Sequence, residues 1–178
     1  MTQPLALIGA AASVVVLSAA TPVVFTDVTE PAGIRFTHTN GAFGAKYMPE
    51  TFGSGVLWLD ADGDGWQDIL FVNATAWPER DAAATHAVLY HNNGDGTFAD
   101  ITRGSGLDVP LYGMGGAAAD FDNDGHIDIY LTALGPNRLF KGRGDGTFAD
   151  VTTAAGVGDP SFSTAALWFD YDKDGHLD

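Results

Sequence analysis

Two blocks of sequence recur along this chain in a constant order, and a chain made of copies is constrained to fold as copies of one unit. LWLDADGDGWQDILFV, beginning at Leu57, returns as AAADFDNDGHIDIYLT from Ala117 and as ALWFDYDKDGHLD from Ala166. The first aspartates of the three copies are Asp60, Asp120 and Asp170. A second block, LYHNNGDGTFADITRGSGL from Leu89, returns as LFKGRGDGTFADVTTAAGV from Leu139. Self-similarity at a period of about 50 residues marks repeat architectures, in which each unit buries its apolar faces against its neighbours.

Within one period the chain reads as four short strands. Gly55 to Leu59 and Ile69 to Val72 are apolar runs on either side of an Asp-rich loop, Ala87 to Tyr90 is a third run, and Thr97 to Thr102 alternates. Asn93-Gly94-Asp95-Gly96 supplies a hairpin turn between the last two. The second period repeats the pattern at Gly115 to Ala119, Ile127 to Leu131, Arg138 to Lys141 and Thr147 to Thr152. Tandem four-stranded meanders predict an all-β fold, a partial β-propeller with the Asp-rich loops between first and second strands, in preference to a sandwich or solenoid. Small residues on the first strands, such as Gly55, Gly115, Gly116, Thr164 and Ala165, suit strands crowded near a propeller axis.

The domain organisation follows. Residues 55–114 are expected to form blade 1, 115–164 blade 2, and 165–178 the start of a truncated third blade. Residues 21–54 form an N-terminal segment in which Val24 to Thr29 matches the fourth-strand motif without a preceding blade, an orphan outer strand. Because a ring takes ~4 to 8 blades, the chain is expected to be a fragment of a longer propeller. Residues 1–20 read as a signal peptide, with a 16-residue apolar and small-residue run from Leu5 to Ala20 ending in Ser18-Ala19-Ala20. The expected location is therefore secreted, extracellular or periplasmic.

The loops have the form D-x-D-x-D-G-x-x-D. Alternate carboxylates converge when such a loop coils, the glycine permits a sharp turn, the next residue can offer its carbonyl, and the last aspartate closes the loop from the following strand. The expected ligand sets are Asp60, Asp62, Asp64, Trp66 and Asp68; Asp120, Asp122, Asp124, His126 and Asp128; and Asp170, Asp172, Asp174, His176 and Asp178. An all-oxygen set rich in carboxylates selects calcium over magnesium, which keeps more water, and over zinc, which prefers nitrogen and sulfur. An EF-hand is excluded, because its twelfth position needs a Glu and the count from Asp60 and Asp120 reaches Phe71 and Leu131.

Charge agrees with a cation as partner. The chain carries 23 acids against 8 bases, a net charge of −15, and the three loops hold twelve of those acids. That balance opposes binding to nucleic acid or an anionic membrane surface. No cysteine is present, which removes disulfides, thiolate metal sites and cysteine nucleophiles.

FTDVTEPAGI from Phe25, KYMPETFGSG from Lys46, NNGDGTFADIT from Asn92, YGMGGAAADFDNDG from Tyr112 and GPNRLFKGRGDGTFADVT from Gly135 resemble the FG-GAP and VCBS repeats of integrin-α-like calcium propellers. The closer resemblance is to the secreted acidic propellers of the cartilage acidic protein and ASPIC/UnbV type. It implies a seven-bladed, calcium-bound, exported propeller with a binding or scaffolding role, of which this chain ends in the third loop, ahead of the remaining blades and the ASPIC/UnbV region.

Other signals are weaker. Arg143-Gly144-Asp145 aligns with Asn93-Gly94-Asp95, so it reads as a turn rather than an adhesion motif. His38, His86 and His91 lack paired metal spacing, His126 and His176 are expected to offer backbone oxygen with the ring outward, and Trp58, Trp168 and Phe169 read as inter-blade core. No nucleophile elbow, P-loop or dinucleotide fingerprint occurs. The expected function is thus non-enzymatic: a calcium-stabilised module binding an unidentified protein or carbohydrate ligand. The alternatives are a polysaccharide-lyase-like or carbohydrate-binding propeller and a remnant without function.

Overall fold

The computed structural model describes residues 22–77 and 83–178, so the expected signal peptide at 1–20 lies outside the described residues. Eight strands form two four-stranded antiparallel sheets, each in sequence order. The first holds β1 (Val56–Leu59), β2 (Asp68–Phe71), β3 (Val88–Asn92) and β4 (Phe98–Asp100). The second holds β5 (Gly113–Ala119), β6 (Asp128–Ala133), β7 (Arg138–Gly142) and β8 (Phe148–Asp150). These are propeller-like blades in an all-β architecture, as the repeat predicts; a single turn of 3-10 helix (Met48–Thr51) and a four-residue helix, α1 (Thr152–Ala155), accompany them.

The period-two alternation puts the core between the sheets. Leu57 and Leu59 of β1, Leu70 of β2 and Leu89 of β3 meet Ile129 and Leu131 of β6, Phe140 of β7 and Phe148 of β8 in one buried cluster. Register places Leu57 opposite Leu70 and Ile129 opposite Phe140, so each cross-strand pair points into the same layer. The other face of the first sheet is covered by the N-terminal segment, where Phe36 stacks on Phe71 at 4.5 Å and the Arg35 amide donates to the Tyr90 hydroxyl at 3.0 Å.

The first strands approach closely, and this is where small residues are required. A side chain on Gly55 would meet the Gly115 Cα at 3.1 Å, and one on Gly115 would meet the Thr164 carbonyl oxygen at 2.7 Å. The Gly55 amide donates to the Met114 carbonyl at 2.9 Å, which stitches the two sheets together along that line. β5 begins two residues earlier than the expected blade boundary, and its register shifts between Gly113 and Gly115, a bulge that bends the strand around its neighbour.

The outer strands are shorter than their sequence pattern. Asp100 Oδ1 accepts the Thr102 amide (2.9 Å) and hydroxyl (2.6 Å), and the Thr102 hydroxyl oxygen accepts the Leu89 amide at 2.9 Å. A side chain thus replaces a ladder bond and turns the chain out of the sheet after Asp100. Asp150, Thr152 and Leu139 repeat the device.

That turn docks each unit on the next. The Phe148 amide of the second sheet donates to the Ser105 carbonyl at 2.7 Å, and the Phe98 amide of the first sheet donates to the Ala32 carbonyl at 2.8 Å. Ala32-Gly33 and Ser105-Gly106 are equivalent in the repeat, and both glycines sit at positive φ (83° and 89°) against the carbonyl they face. The N-terminal motif therefore performs the docking part of its repeat role. The orphan strand expected at Val24 to Thr29 is a different matter: residues 22–28 form no strand, and Phe25 is 93% exposed. Each described sheet already has a fourth strand of its own, β4 or β8.

The third repeat forms its loop without a named strand. It meets the second sheet through an isolated bridge between Leu134 and Phe162 and through Trp168, stacked on Phe121 at 5.9 Å and edge-on to Tyr130 at 6.1 Å. Trp168 thus takes the expected inter-blade place. Trp58 and Phe169 do not: both are exposed, Trp58 on the opposite face of β1 from Leu57 and Leu59 and edge-on to Phe98 at 6.4 Å, and Phe169, at the repeat position of the buried Leu59, edge-on to Tyr171 at 6.0 Å.

Two outcomes test this packing. Gly106→Ala forces a Cβ to 2.3 Å from the Phe148 carbonyl oxygen at a left-handed φ, and is expected to cost about 1–3 kcal/mol in urea unfolding. Burial alone would raise the Asp150 carboxyl, but the Thr152 hydroxyl and amide and the Arg138 guanidinium, at 2.7 Å, hold it below the ordinary carboxylate range. That contribution is full above about pH 4 and is lost as the pH falls through the depressed folded value. The deficit in melting temperature of Asp150→Asn is accordingly expected to be largest near neutral pH and to shrink in acid.

Candidate metal centre

The first two loops leave β1 and β5, coil, and return through an aspartate at the head of β2 and β6, and the third loop coils in the same way. Nine positions make the loop, and backbone amides turn its carboxylates inward. In the first, the position-one Asp60 carboxylate accepts the amides of Gly63 (2.9 Å), Asp64 (3.1 Å) and Gly65 (3.0 Å). In the second, Asp120 accepts those of Asp124 (3.0 Å) and Gly125 (2.8 Å), and in the third Asp170 accepts those of Asp174 (3.1 Å) and Gly175 (3.0 Å). Such coiling needs left-handed backbone at positions four and six. Position six is glycine throughout (Gly65, Gly125, Gly175; φ 88–90°), whereas position four is Gly63, Asn123 or Lys173 (φ 77°, 59° and 65°).

The position-nine aspartate joins loop to sheet. Asp68 and Asp128 are 0% exposed. Asp68 accepts the Ala61 amide on one oxygen (3.0 Å) and the Asn92 amide of β3 on the other (2.7 Å). Asp128 does the same with Phe121 (3.0 Å) and Gly142 (2.8 Å), and Asp178 accepts the Tyr171 amide at 2.8 Å. Burial pushes the Asp68 and Asp128 carboxyls up, against the amides that bind their charged forms, and Asp62 and Asp122 add to the rise. A raised folded value means that these two groups disfavour the fold as the pH climbs through it; a bound cation would reverse that term.

Positions one, three and nine converge. One carboxylate oxygen from each of Asp60, Asp62 and Asp68 lies within 4.8 Å of the others, and the same holds for Asp120, Asp122 and Asp128 and for Asp170, Asp172 and Asp178. An ion that takes oxygens at 2.3–2.6 Å spans about 5 Å between opposite ligands, so each trio has the dimensions of a hard-cation site. Of the position-five aspartates, Asp64 groups with Asp62 and His91, and Asp124 is paired with Lys141 at 3.0 Å. At position seven, the amides of Trp66, His126 and His176 donate to the position-five carboxylates at 2.8–3.0 Å. The rings of Trp66 and His126 lie over Gly94 and Gly144, where a Cβ would strike them at 3.0 and 2.3 Å. That explains the glycines of the N-G-D-G and R-G-D-G turns. The His176 ring instead reaches Asn123 of the second loop at 3.1 Å.

His91 has no metal-spaced partner in the sequence, yet its Nδ1 lies 3.2 Å from Asp62 Oδ2 and 3.3 Å from Asp68 Oδ1, buried and aligned with neither for a hydrogen bond. Lys141 takes the same place in the second repeat, its ammonium bonded to Asp122 and Asp124. The signal was present in the repeat alignment, which sets His91 and Lys141 at one position of the third strand; spacing within one repeat does not reveal it.

This geometry agrees with what comparison with known proteins finds. The FG-GAP-like repeat model matches residues 60–131 and 120–178, more than half of the sequence. The chain belongs to the FG-GAP-like repeat family. The chain is similar over 54 residues to cartilage acidic protein 1, at 50% identity in Homo sapiens, 52% in Xenopus tropicalis and 48% in Mus musculus. The matched stretch is 29% of this chain and 8% of each of those proteins.

The donor set fits a divalent ion. Its oxygens come from ionisable carboxylates, and in the second loop an ammonium already stands among them as a cation would. Asp128 carries a structural load beyond any such role. Asp128→Ala would leave one buried and one half-buried amide donor without a partner, and in chelator is expected to lose about 2–4 kcal/mol in urea unfolding, well above the loss for Asp172→Ala.

Proposed function

We propose that this chain is an exported, calcium-stabilised repeat module that binds a protein or carbohydrate ligand and carries out no chemistry of its own. The observation that carries the calcium reading is the recurrence of one carboxylate trio in three loops with the same backbone amide bonds. A single acidic turn is common without an ion; three in register share a reason. The acidic balance of −15 supports a cationic partner, since three divalent ions would bring it to −9. The apolar run from Leu5 to Ala20 supports export.

The proposed ligand atoms are the carboxylates of Asp60, Asp62 and Asp68, of Asp120, Asp122 and Asp128, and of Asp170, Asp172 and Asp178, with Asp64, Asp124 and Asp174 and the carbonyls of Trp66, His126 and His176 completing each shell. Calcium there relieves repulsion between carboxylates and clamps the first hairpin of each repeat, which keeps the outer surface in one shape for its partner. A non-catalytic role suits carboxylates whose oxygens are already engaged by backbone amides.

The test is thermal unfolding of the chain in EDTA, in millimolar calcium and in millimolar magnesium. Calcium is expected to raise the melting temperature by about 5–10 °C, as a ligand near 100 times its Kd does for a domain of this size, and magnesium by much less. Asp122→Ala is expected to reduce the calcium increment. Equal curves in EDTA and calcium would refute the calcium reading.

A further inference from the structure

The two complete repeats differ at one position that faces the loop. On β3 it is His91 and on β7 Lys141, paired with Ala99 and Ala149 respectively, so the two side chains occupy the same register. The imidazole of His91 brings a buried nitrogen without a hydrogen bond to within 3.3 Å of Asp62 and Asp68. The ammonium of Lys141 binds Asp122 and Asp124. In the first and third loops the position-three carboxylate (Asp62, Asp172) accepts the position-five amide at 3.2 Å; in the second loop Asp122 is turned to Lys141.

We propose that Lys141 is an internal counter-ion of the second loop, which makes the two complete loops unequal cation sites, the first open and the second reached only by displacing an ammonium. This rests on the calcium reading above. A divalent ion entering the second loop must break two charge-assisted bonds and then share its shell with a positive charge about 4 Å away, whereas in the first loop the His91 Nδ1 makes no hydrogen bond that an entering ion would have to break. The same ammonium screens the carboxylates of the second loop from one another when no ion is bound, so the second repeat depends less on calcium for its stability than the first.

The experiment is a calcium titration of the full chain followed by amide NMR, reading Gly65 and Gly125, each bonded to the position-one aspartate of its loop. The midpoint at Gly65 is expected about tenfold lower in calcium than that at Gly125. Lys141→Met is expected to lower the Gly125 midpoint about tenfold with Gly65 unmoved, and the reciprocal His91→Lys to raise the Gly65 midpoint by a similar factor. Lys141→Met should also melt lower than wild type in EDTA, with the gap closing in saturating calcium. Coincident midpoints that neither substitution moves would overturn the proposal and leave the calcium reading standing. Failure of both amides to titrate in all three proteins would overturn the two together.

Discussion

A buried carboxylate that accepts two backbone amides organises this structure. Asp68 and Asp128 each bind the second residue of their own loop and the end of the third strand. One side chain thereby fixes where the loop closes, where the second strand begins and how the third strand is registered against it. Moving it by one residue would turn the carboxylate to the opposite face and leave both donors, one of them buried, without their acceptor. The loop is therefore a structural part of the hairpin before any ion enters it, and its oxygens are aimed by the same bonds that hold the sheet.

The second constraint is close approach. Gly55, Gly115 and the Thr164 backbone lie in successive contact, and the Ala32-Gly33 and Ser105-Gly106 turns press on the outer strand of the next sheet. Contact along the first strands and contact at the outer edges hold each sheet against its neighbour at two distant lines. Between them lies the layer of Leu57, Leu59, Leu70 and Leu89 against Ile129, Leu131, Phe140 and Phe148. Rigidity at both lines aligns the three loops, close enough that the Asn123 side chain reaches the Gly175 carbonyl.

The repeats differ from one another at a few positions around the loops. Position seven is Trp66, His126 or His176, and its ring either roofs the neighbouring turn or touches the next loop. The third-strand residue is His91 or Lys141, and it alters the charge inside the loop. The framework tolerates these changes because the position-one and position-nine bonds to backbone amides are kept in both complete repeats.

The all-β repeat, the order of strands, the Asp-rich loops and the small first-strand residues were legible in the amino-acid sequence, because each is a local requirement: alternation for a two-faced strand, glycine for a left-handed turn, aspartate for an inward oxygen. The tertiary structure alone decided what those residues meet. It brought His91 and Lys141 to the loops from a neighbouring strand, paired Asp124 with Lys141, laid Trp66 and His126 over turn glycines, and left Trp58 and Phe169 exposed. It also shortened the outer strands at Asp100 and Asp150, where a side chain takes over a ladder bond. These outcomes depend on distances between residues far apart in the chain, and spacing within one repeat carries no record of them.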